Sequence, residues 1–289
     1  LNKQNIIFIV NPISGIGKQK GIDKTITEIA SKHQANVEIE FTKHTGHAYQ
    51  IALNAVQNRI HTVVIVGGDG SVNEVGKALM NTDTKLGIIP IGSGNGLARH
   101  LKIPLEPKKA IELVFKGKTT IMDVGKIEEH IFLSTAGFGF DAHVAHIFAQ
   151  QSKRGFRTYI KTVRKELFKF KAFEFNLINE KITNKAFMLS IANIPQFGNN
   201  FTINPNASEK DGLLNCTLIK PFPKYKIPLI TSRFFAKSIH NSRYFHEWIA
   251  PEFEFEIPHL IGHVDGEPIV LKNMRNKCTI EKSCLNVII

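Results

Sequence analysis

The stretch Val63-Val64-Ile65-Val66-Gly67-Gly68-Asp69-Gly70-Ser71-Val72-Asn73-Glu74 constrains the fold more than any other part of the chain. Four β-branched residues in a row, with no alternation, predict a strand buried on both faces. Glycines follow at once, and then a helical pattern resumes. Glycine lets the main chain adopt positive φ and approach a ligand closely. Unpaired amides at a helix N-terminus, together with the helix dipole, favour phosphate. A carboxylate beside phosphate does not bind it directly. Asp69 therefore points to Mg²⁺ orientation or to polarising an attacking hydroxyl. The plainer alternative is a tight strand–helix turn with Asp and Ser as caps, which does not need three glycines.

Two more loops share this form. In Ile88-Ile89-Pro90-Ile91-Gly92-Ser93-Gly94-Asn95-Gly96-Leu97-Ala98-Arg99 a strand again meets small residues ahead of a helix. The glycine spacing differs from the dinucleotide fingerprint. Val10-Asn11-Pro12-Ile13-Ser14-Gly15-Ile16-Gly17-Lys18 follows the first apolar run and approaches a P-loop. Gly15 stands too near Gly17-Lys18, however, and Gln19 occupies the place of the Mg²⁺-binding hydroxyl. This is a phosphate loop of another kind or a plain turn. In a parallel sheet all three loops leave the carboxyl ends of strands, the edge at which such folds bind ligands.

The pattern around these loops supports such a sheet. Strand-like runs at Ile6–Val10, Val37–Phe41, Val63–Val66 and Leu86–Ile91 alternate with helical patterns at residues 22–29, 48–56, 72–80 and 110–115. That alternation predicts an α/β domain with a parallel sheet over residues 1–125, with the tail 276–289 a candidate to return to it. Residues 126–275 read as a β-rich second domain, a sandwich. Strands are expected at Ile131–Thr135, Glu174–Ile178, Ala186–Asn193, Leu213–Ile219 and Glu252–Ile257, with one helix over Phe156–Phe170.

Composition narrows the classes. Of 289 residues, 43% are hydrophobic and 21% charged, the balance of a globular protein. No run approaches the roughly 20 apolar residues of a membrane span. The odd cysteine count, at positions 216, 278 and 284, and the lack of ligand spacing fit free thiols in a cytoplasmic, reducing setting. A net charge of +12 suits nucleic acid, an anionic membrane or a phosphorylated substrate.

At these residues the sequence resembles the diacylglycerol kinase catalytic family, which includes bacterial lipid kinases and the sphingosine and ceramide kinases. The matching segments are Asn11-Pro12-x-Ser14-Gly15, Gly67-Gly68-Asp69-Gly70-Ser71-x-Asn73-Glu74 and Pro90-x-Gly92-Ser93-Gly94-Asn95. Asp123-x-Gly125, Ala136-Gly137-Phe138-Gly139, Asp211-Gly212 and Asp265-Gly266-Glu267 follow in order. The resemblance implies an N-terminal nucleotide domain, a C-terminal β-sandwich and an active site in the cleft between them. It implies ATP contacts from Asn11, Ser14, Gly15, Thr42, Gly67, Gly68, Asp69, Gly70, Ser71, Asn73, Glu74 and Ser93. It gives the proton-acceptor role to Glu267, with Asp265 close by, or in other members to Asp69. A second, structural Mg²⁺ would match Ser208, Asp211 and the Leu213 carbonyl. Asn95-Gly96 stands where bacterial diacylglycerol kinases usually carry Asn-Asp, and here the loop looks more like the sphingosine kinase version.

The implied reaction is ATP- and Mg-dependent phosphorylation of a lipid hydroxyl. Phosphoryl transfer asks a protein for positioning and charge neutralisation. Mg²⁺ would be held by ATP with Asp69 and either Glu74 or Asp123; Lys18 and Arg99 are candidate charge partners. Asp265-Gly266 also reads as a simple hairpin turn. The basic, amphipathic stretch Lys153–Lys171 suits a peripheral helix on anionic lipid at the inner face of the membrane. It equally suits a helix packed on the sandwich. A second basic-aromatic stretch at residues 233–245 reads the same two ways. No nucleic-acid module is recognisable, so nucleic acid is not an expected partner; a homodimer is left open. The competing functions are a kinase for a soluble substrate such as NAD, and an inactive membrane-binding adaptor.

Overall fold

The computed structural model describes residues 5–17, 21–151, 156–198 and 201–289. Clustering of contacts divides the chain into two units, residues 1–122 with 283–289, and residues 123–282.

The first unit alternates strand and helix: β1 (Asn5–Val10), α1 (Ile22–Lys32), β2 (Asn36–Phe41), α2 (His47–Gln57), β3 (Thr62–Gly67), α3 (Asp69–Leu79), β4 (Lys85–Pro90), α4 (Gly96–His100) and α5 (Pro107–Lys116). The strands are parallel in the order β2-β1-β3-β4. Every residue of β3 is buried, as its unbroken β-branched run requires of a central strand. The edge strand β2 is half open to solvent and carries Glu38 and Glu40. Because β1 lies between β2 and β3, the strand order reverses beside it. The carboxyl ends of β1 and β3 thus flank the switch point, where open α/β sheets bind ligands. β5 (Thr119–Ile127) leads out of this unit.

The second unit contains β6 (His130–Phe132), β7 (Thr135–Gly139), α6 (Phe140–Ala149), α7 (Phe156–Leu167), β8 (Phe173–Leu177), β9 (Ile182–Ala186), β10 (Met188–Ala192), β11 (Gln196–Gly198), β12 (Phe201–Thr202), β13 (Leu214–Ile219), α8 (Ile227–Phe235), β14 (Phe245–Ala250), β15 (Glu252–Glu256), β16 (Ile261–Val264), β17 (Glu267–Val270) and β18 (Arg275–Ile288). One antiparallel sheet runs β14-β13-β10-β7-β16-β17. A second joins β15 to β18, β8 and β9. Their facing sides share one apolar core, with Phe138 of β7 and Phe255 of β15 at 4.9 Å between ring centroids. Burying rings of this size contributes about 2–3 kcal/mol each. Cys216 and Cys278 are fully buried here as free thiols, and burial pushes both thiol pKa values up. The end of β18 belongs to the first unit, where Val287 pairs parallel with Leu86 and Ile289 exchanges two main-chain bonds with Lys118.

Two segments depart from the sequence expectation. Ile131–Thr135 is not one strand. It breaks after Phe132, because the amides of Leu133, Ser134 and Thr135 turn to a side chain, Asp265. α7 buries only part of the apolar face read from its sequence: Tyr159 meets Phe148 edge-on at 5.6 Å, and Phe170 beyond its end lies 5.6 Å from the Phe140 ring and 5.5 Å from that of Phe187. Among the described residues of α7, Thr162 and Glu166 are buried, Thr162 bonded to Gln151 at 2.8 Å and Glu166 3.1 Å from His143 on α6. Tyr159 and Ile160 of the apolar face stay 37% and 36% exposed. Lys153, Arg154 and Gly155 lie outside the described residues. α6 and α8 are two further helices that the sequence did not announce.

Candidate active site

Three glycine turns meet at the carboxyl edge of the first unit's sheet. A Cβ on Gly15 would overlap the Ile91 carbonyl, and one on Gly92 would stand 2.6 Å from the Gly68 Cα. The first loop thus touches the β4 loop, and the β4 loop touches the β3 loop, at distances only glycine allows. Side chains complete the junction. The Asn11 amide donates to Ser71 Oγ at 2.8 Å, while its carbonyl oxygen accepts the Ile13 N–H. Asn11 therefore ties the first loop to the start of α3.

The Asp69 carboxylate is held by a neighbouring loop. The N-cap of α3 is Gly68, and it receives no side-chain cap bond. The Asp69 carboxylate instead reaches across to accept the Gly96 N–H at 2.8 Å, while a Cβ on Gly94 would stand 3.0 Å from its other oxygen. Asp69 is thus a carboxylate set among glycine turns, in the first turn of a helix whose dipole favours negative charge. Arg99, read as a candidate partner for phosphate, donates from Nε to the Gly94 carbonyl at 3.0 Å and so braces this loop. Lys18, the other candidate, lies outside the described residues.

Glu74 accepts the Gly46 N–H at 2.9 Å, and the Thr42 amide bonds the Val10 carbonyl. That places the Thr42–Gly46 turn against the same edge. Gly67, Gly70, Ser71 and Asn73 lie at the end of β3 and in the first turns of α3, with Ser14 beside Gly15 and Ser93 exposed on the β4 loop. All of the nucleotide contacts implied by the resemblance thus fall on this one edge.

In the second unit, Asp265 and Gly266 form the two-residue turn between β16 and β17, both with positive φ, and Val264 pairs with Glu267 across it. This is the hairpin that Asp-Gly favours. The Asp265 carboxylate accepts the Leu133 N–H at 2.8 Å, the Ser134 N–H at 2.7 Å and the Thr135 N–H at 3.1 Å. A carboxylate engaged by three main-chain donors clamps this turn to the 133–135 segment. Glu267, the first residue of β17, is exposed.

Asp123, expected near Mg²⁺, is buried, and its carboxylate accepts the Gly212 N–H at 2.7 Å, holding the 209–212 loop. Ser208, Asp211 and Leu213 do share that loop. One Asp211 oxygen accepts the Leu213 N–H at 2.9 Å. The Lys282 side chain lies against Gly212, where its Nζ would come within 2.8 Å of an added Cβ. One side-chain carboxylate is a poor donor set for a divalent cation, and no step is assigned to this loop. Among the described residues, Glu128, Glu129 and His130 also come together. There Glu128 accepts the Lys272 N–H and Glu129 pairs with Lys272 Nζ at 2.9 Å, so a lysine already serves the cluster.

Comparison with known proteins bears on this geometry. Residues 5–127 match the diacylglycerol kinase catalytic domain, and residues 134–289 match the YegS C-terminal NAD kinase beta sandwich-like domain. The chain is 30% identical over 234 residues to the diacylglycerol kinase of Mycobacterium tuberculosis (strain H37Rv), covering 77% of this chain and 75% of that one. The chain belongs to the diacylglycerol kinase catalytic family. As a member it is an ATP-using kinase of the lipid kinase group. A Shewanella frigidimarina protein named "Probable lipid kinase YegS-like" is 27% identical over 89% of this chain and 87% of its own length. A diacylglycerol kinase structure from Bacillus anthracis shares the fold, with a TM-score of 0.74 at 19% identity over 100% of this chain and 97% of that one. An Archaeoglobus fulgidus NAD kinase solved with ATP aligns with a TM-score of 0.52 at 13% identity, over 98% of this chain and 93% of its own.

Proposed function

We propose that this kinase transfers the γ-phosphoryl group of Mg-ATP to the hydroxyl of a diacylglycerol- or sphingoid-type lipid. The observation that supports this reading is the junction of three glycine turns around Asp69, with main-chain amides and the N-terminus of α3 beside it. Asn11, Ser14, Gly15, Thr42, Gly67, Gly68, Gly70, Ser71, Asn73, Glu74 and Ser93 supply the nucleotide contacts. Their amides and hydroxyls suit phosphate oxygens, and the glycines let the main chain come close.

Magnesium fits the oxygen donors of this edge: Asp69 would hold it, with Glu74 fixed nearby by the Gly46 amide. When bound, it neutralises charge on the β- and γ-phosphates. The chain's own part is positional. Asp69 keeps the β4 loop in place through Gly96, and Asn11 keeps the first loop on α3. Proton removal from the lipid hydroxyl falls to Glu267, while Asp265 holds the turn that carries it. A primary alcohol keeps its proton at neutral pH, so this assistance is worth about 10²–10⁴-fold.

An anionic membrane surface is the proposed location of the substrate. Among the described residues no helix is long and apolar enough to cross a membrane. Large apolar side chains are exposed on α7, α8 and their flanks instead: Ile160, Phe168 at 56%, Tyr225 at 76%, Leu229 and Phe235. Lys224 lies 6.0 Å from the Phe168 ring, and Lys161, Lys165, Lys169 and Lys226 surround these positions in the sequence. Exposed apolar groups ringed by cations suit the anionic headgroup region.

The test is incubation with γ-labelled ATP, Mg²⁺ and either a lipid-alcohol panel or NAD, followed by chromatography. Label in a phospholipid supports the reading. Label in NADP with none in lipid replaces it with the soluble-substrate kinase.

A further inference from the structure

A proton acceptor on a hairpin works only if the hairpin is held still, since small displacements of a reacting group cost large factors in rate. Behind the Asp265-Gly266 turn lies a buried ionisable pair that the reaction as described leaves unused. His263 of β16 and Asp141 of α6 have side chains 3% and 9% exposed, with Nε2 and Oδ2 3.1 Å apart. The other ring nitrogen, Nδ1, accepts the Gly266 N–H at 3.3 Å. A ring that accepts at Nδ1 carries its hydrogen on Nε2, so Nε2–H donates to Asp141.

The surroundings fix this pair in place. Asp141 sits in the first turn of α6, where the helix dipole favours a carboxylate, and its Oδ1 accepts the Ala142 N–H at 2.9 Å. Gly137 of β7 lies flush against the pair, and a Cβ there would overlap both Asp141 Oδ2 and His263 Nε2. That close approach accounts for a glycine in the Ala136–Gly139 run. Phe197 meets the His263 ring edge-on at 5.7 Å. One turn further along α6, His146 Nε2 lies 3.0 Å from the Gly262 carbonyl and 3.2 Å from that of Ile269, a second tie to both strands of the same hairpin.

We propose that His263, oriented by Asp141, is a positioning residue for Glu267: it holds the Gly266 amide and so fixes the turn from which Glu267 projects. The inference rests on the assignment of Glu267 as proton acceptor, and the variants below separate the two.

Asparagine at 263 offers an amide oxygen close to the Nδ1 position and keeps an acceptor for Gly266. Glutamine reaches the Nε2 position and keeps a donor for Asp141 but loses that acceptor. Turnover on a lipid alcohol, KM for ATP and thermal unfolding are measured for each. His263→Gln is expected to lower kcat by about 10- to 100-fold with KM for ATP unchanged, while His263→Asn stays within about fivefold of wild type. Added to Glu267→Gln, His263→Gln should cause no further loss, because both act through one group. Equal losses in the two His263 variants, or normal kcat in His263→Gln, overturn the inference. If Glu267→Gln itself turns over at the wild-type rate, the assignment of Glu267 fails and the inference with it. Loss in Glu267→Gln beside normal His263→Gln sinks the inference alone. Should the variants not fold, the imidazole ¹⁵N spectrum of the wild-type enzyme decides: a hydrogen on Nε2 supports the proposal, and one on Nδ1 contradicts it.

Discussion

Asp69 accepts the main-chain N–H of Gly96 at 2.8 Å, so the carboxylate at the head of α3 holds the neighbouring glycine loop in place. One side chain therefore has two parts, a structural one through Gly96 and a proposed electrostatic one toward the nucleotide. Substitution can separate them. Asp69→Asn keeps an oxygen for Gly96 and loses the charge. We expect turnover to fall at least about 100-fold while stability stays within about 1 kcal/mol of wild type. Asp69→Ala loses both, and KM for ATP should rise as well. Steady-state kinetics with thermal unfolding checks the pair; near-normal turnover in Asp69→Asn removes Asp69 from the site.

Gly92→Ala tests the contact between loops. Its Cβ would meet the Gly68 Cα, a main-chain atom, at 2.6 Å, and the Oδ1 of Asn95, whose amide is tied to the Gly92 carbonyl, at 2.8 Å. The loops must part, at a cost of about 1–3 kcal/mol. The expected outcome is weaker ATP binding by calorimetry, with the second unit's core unaffected in its near-ultraviolet spectrum.

Asp265→Ala should act on stability. It leaves the amides of Leu133, Ser134 and Thr135 without their acceptor, and an orphaned buried donor costs about 1–3 kcal/mol. Denaturant unfolding should show the loss, larger than that of Glu267→Gln, whose carboxylate is exposed. Equal stability of the two variants would show that the clamp is dispensable.

The central strands were legible because burial on both faces leaves an unmixed apolar run, as in Ile6–Val10 and Val63–Val66. The glycine turns were legible because close main-chain approach admits no other residue. The ties between them were not: nothing near Asp69 in the sequence names Gly96, 27 positions away. His263 gave no signal either, since a lone histidine in a strand acquires meaning only from Asp141, 122 positions distant. α7 was legible only in part. Its apolar stripe packs through Tyr159 on Phe148, but the ties on the same side of the helix, Glu166 to His143 and Thr162 to Gln151, depend on partners the local sequence does not name. α8 was hidden by β-branched residues, Ile227, Ile230 and Thr231, that read as poor helix formers.

Membrane attachment has its own test. Phe168→Ser with Tyr225→Ser removes two of the most exposed apolar side chains without touching the core. Sedimentation with vesicles containing anionic phospholipid should show wild-type binding that weakens as salt is raised, and clearly weaker binding by the double variant. Wild-type binding by the double variant would place the attachment elsewhere.

Hydrogen exchange read by mass spectrometry, with and without Mg-ATP, tests the central claim most directly. Main-chain amides gripping a triphosphate should exchange more slowly at residues 11–15, 67–74 and 92–97 together, and Asp69→Asn should diminish that protection. Protection confined to other segments, with these three turns exchanging as they do without nucleotide, would contradict the account.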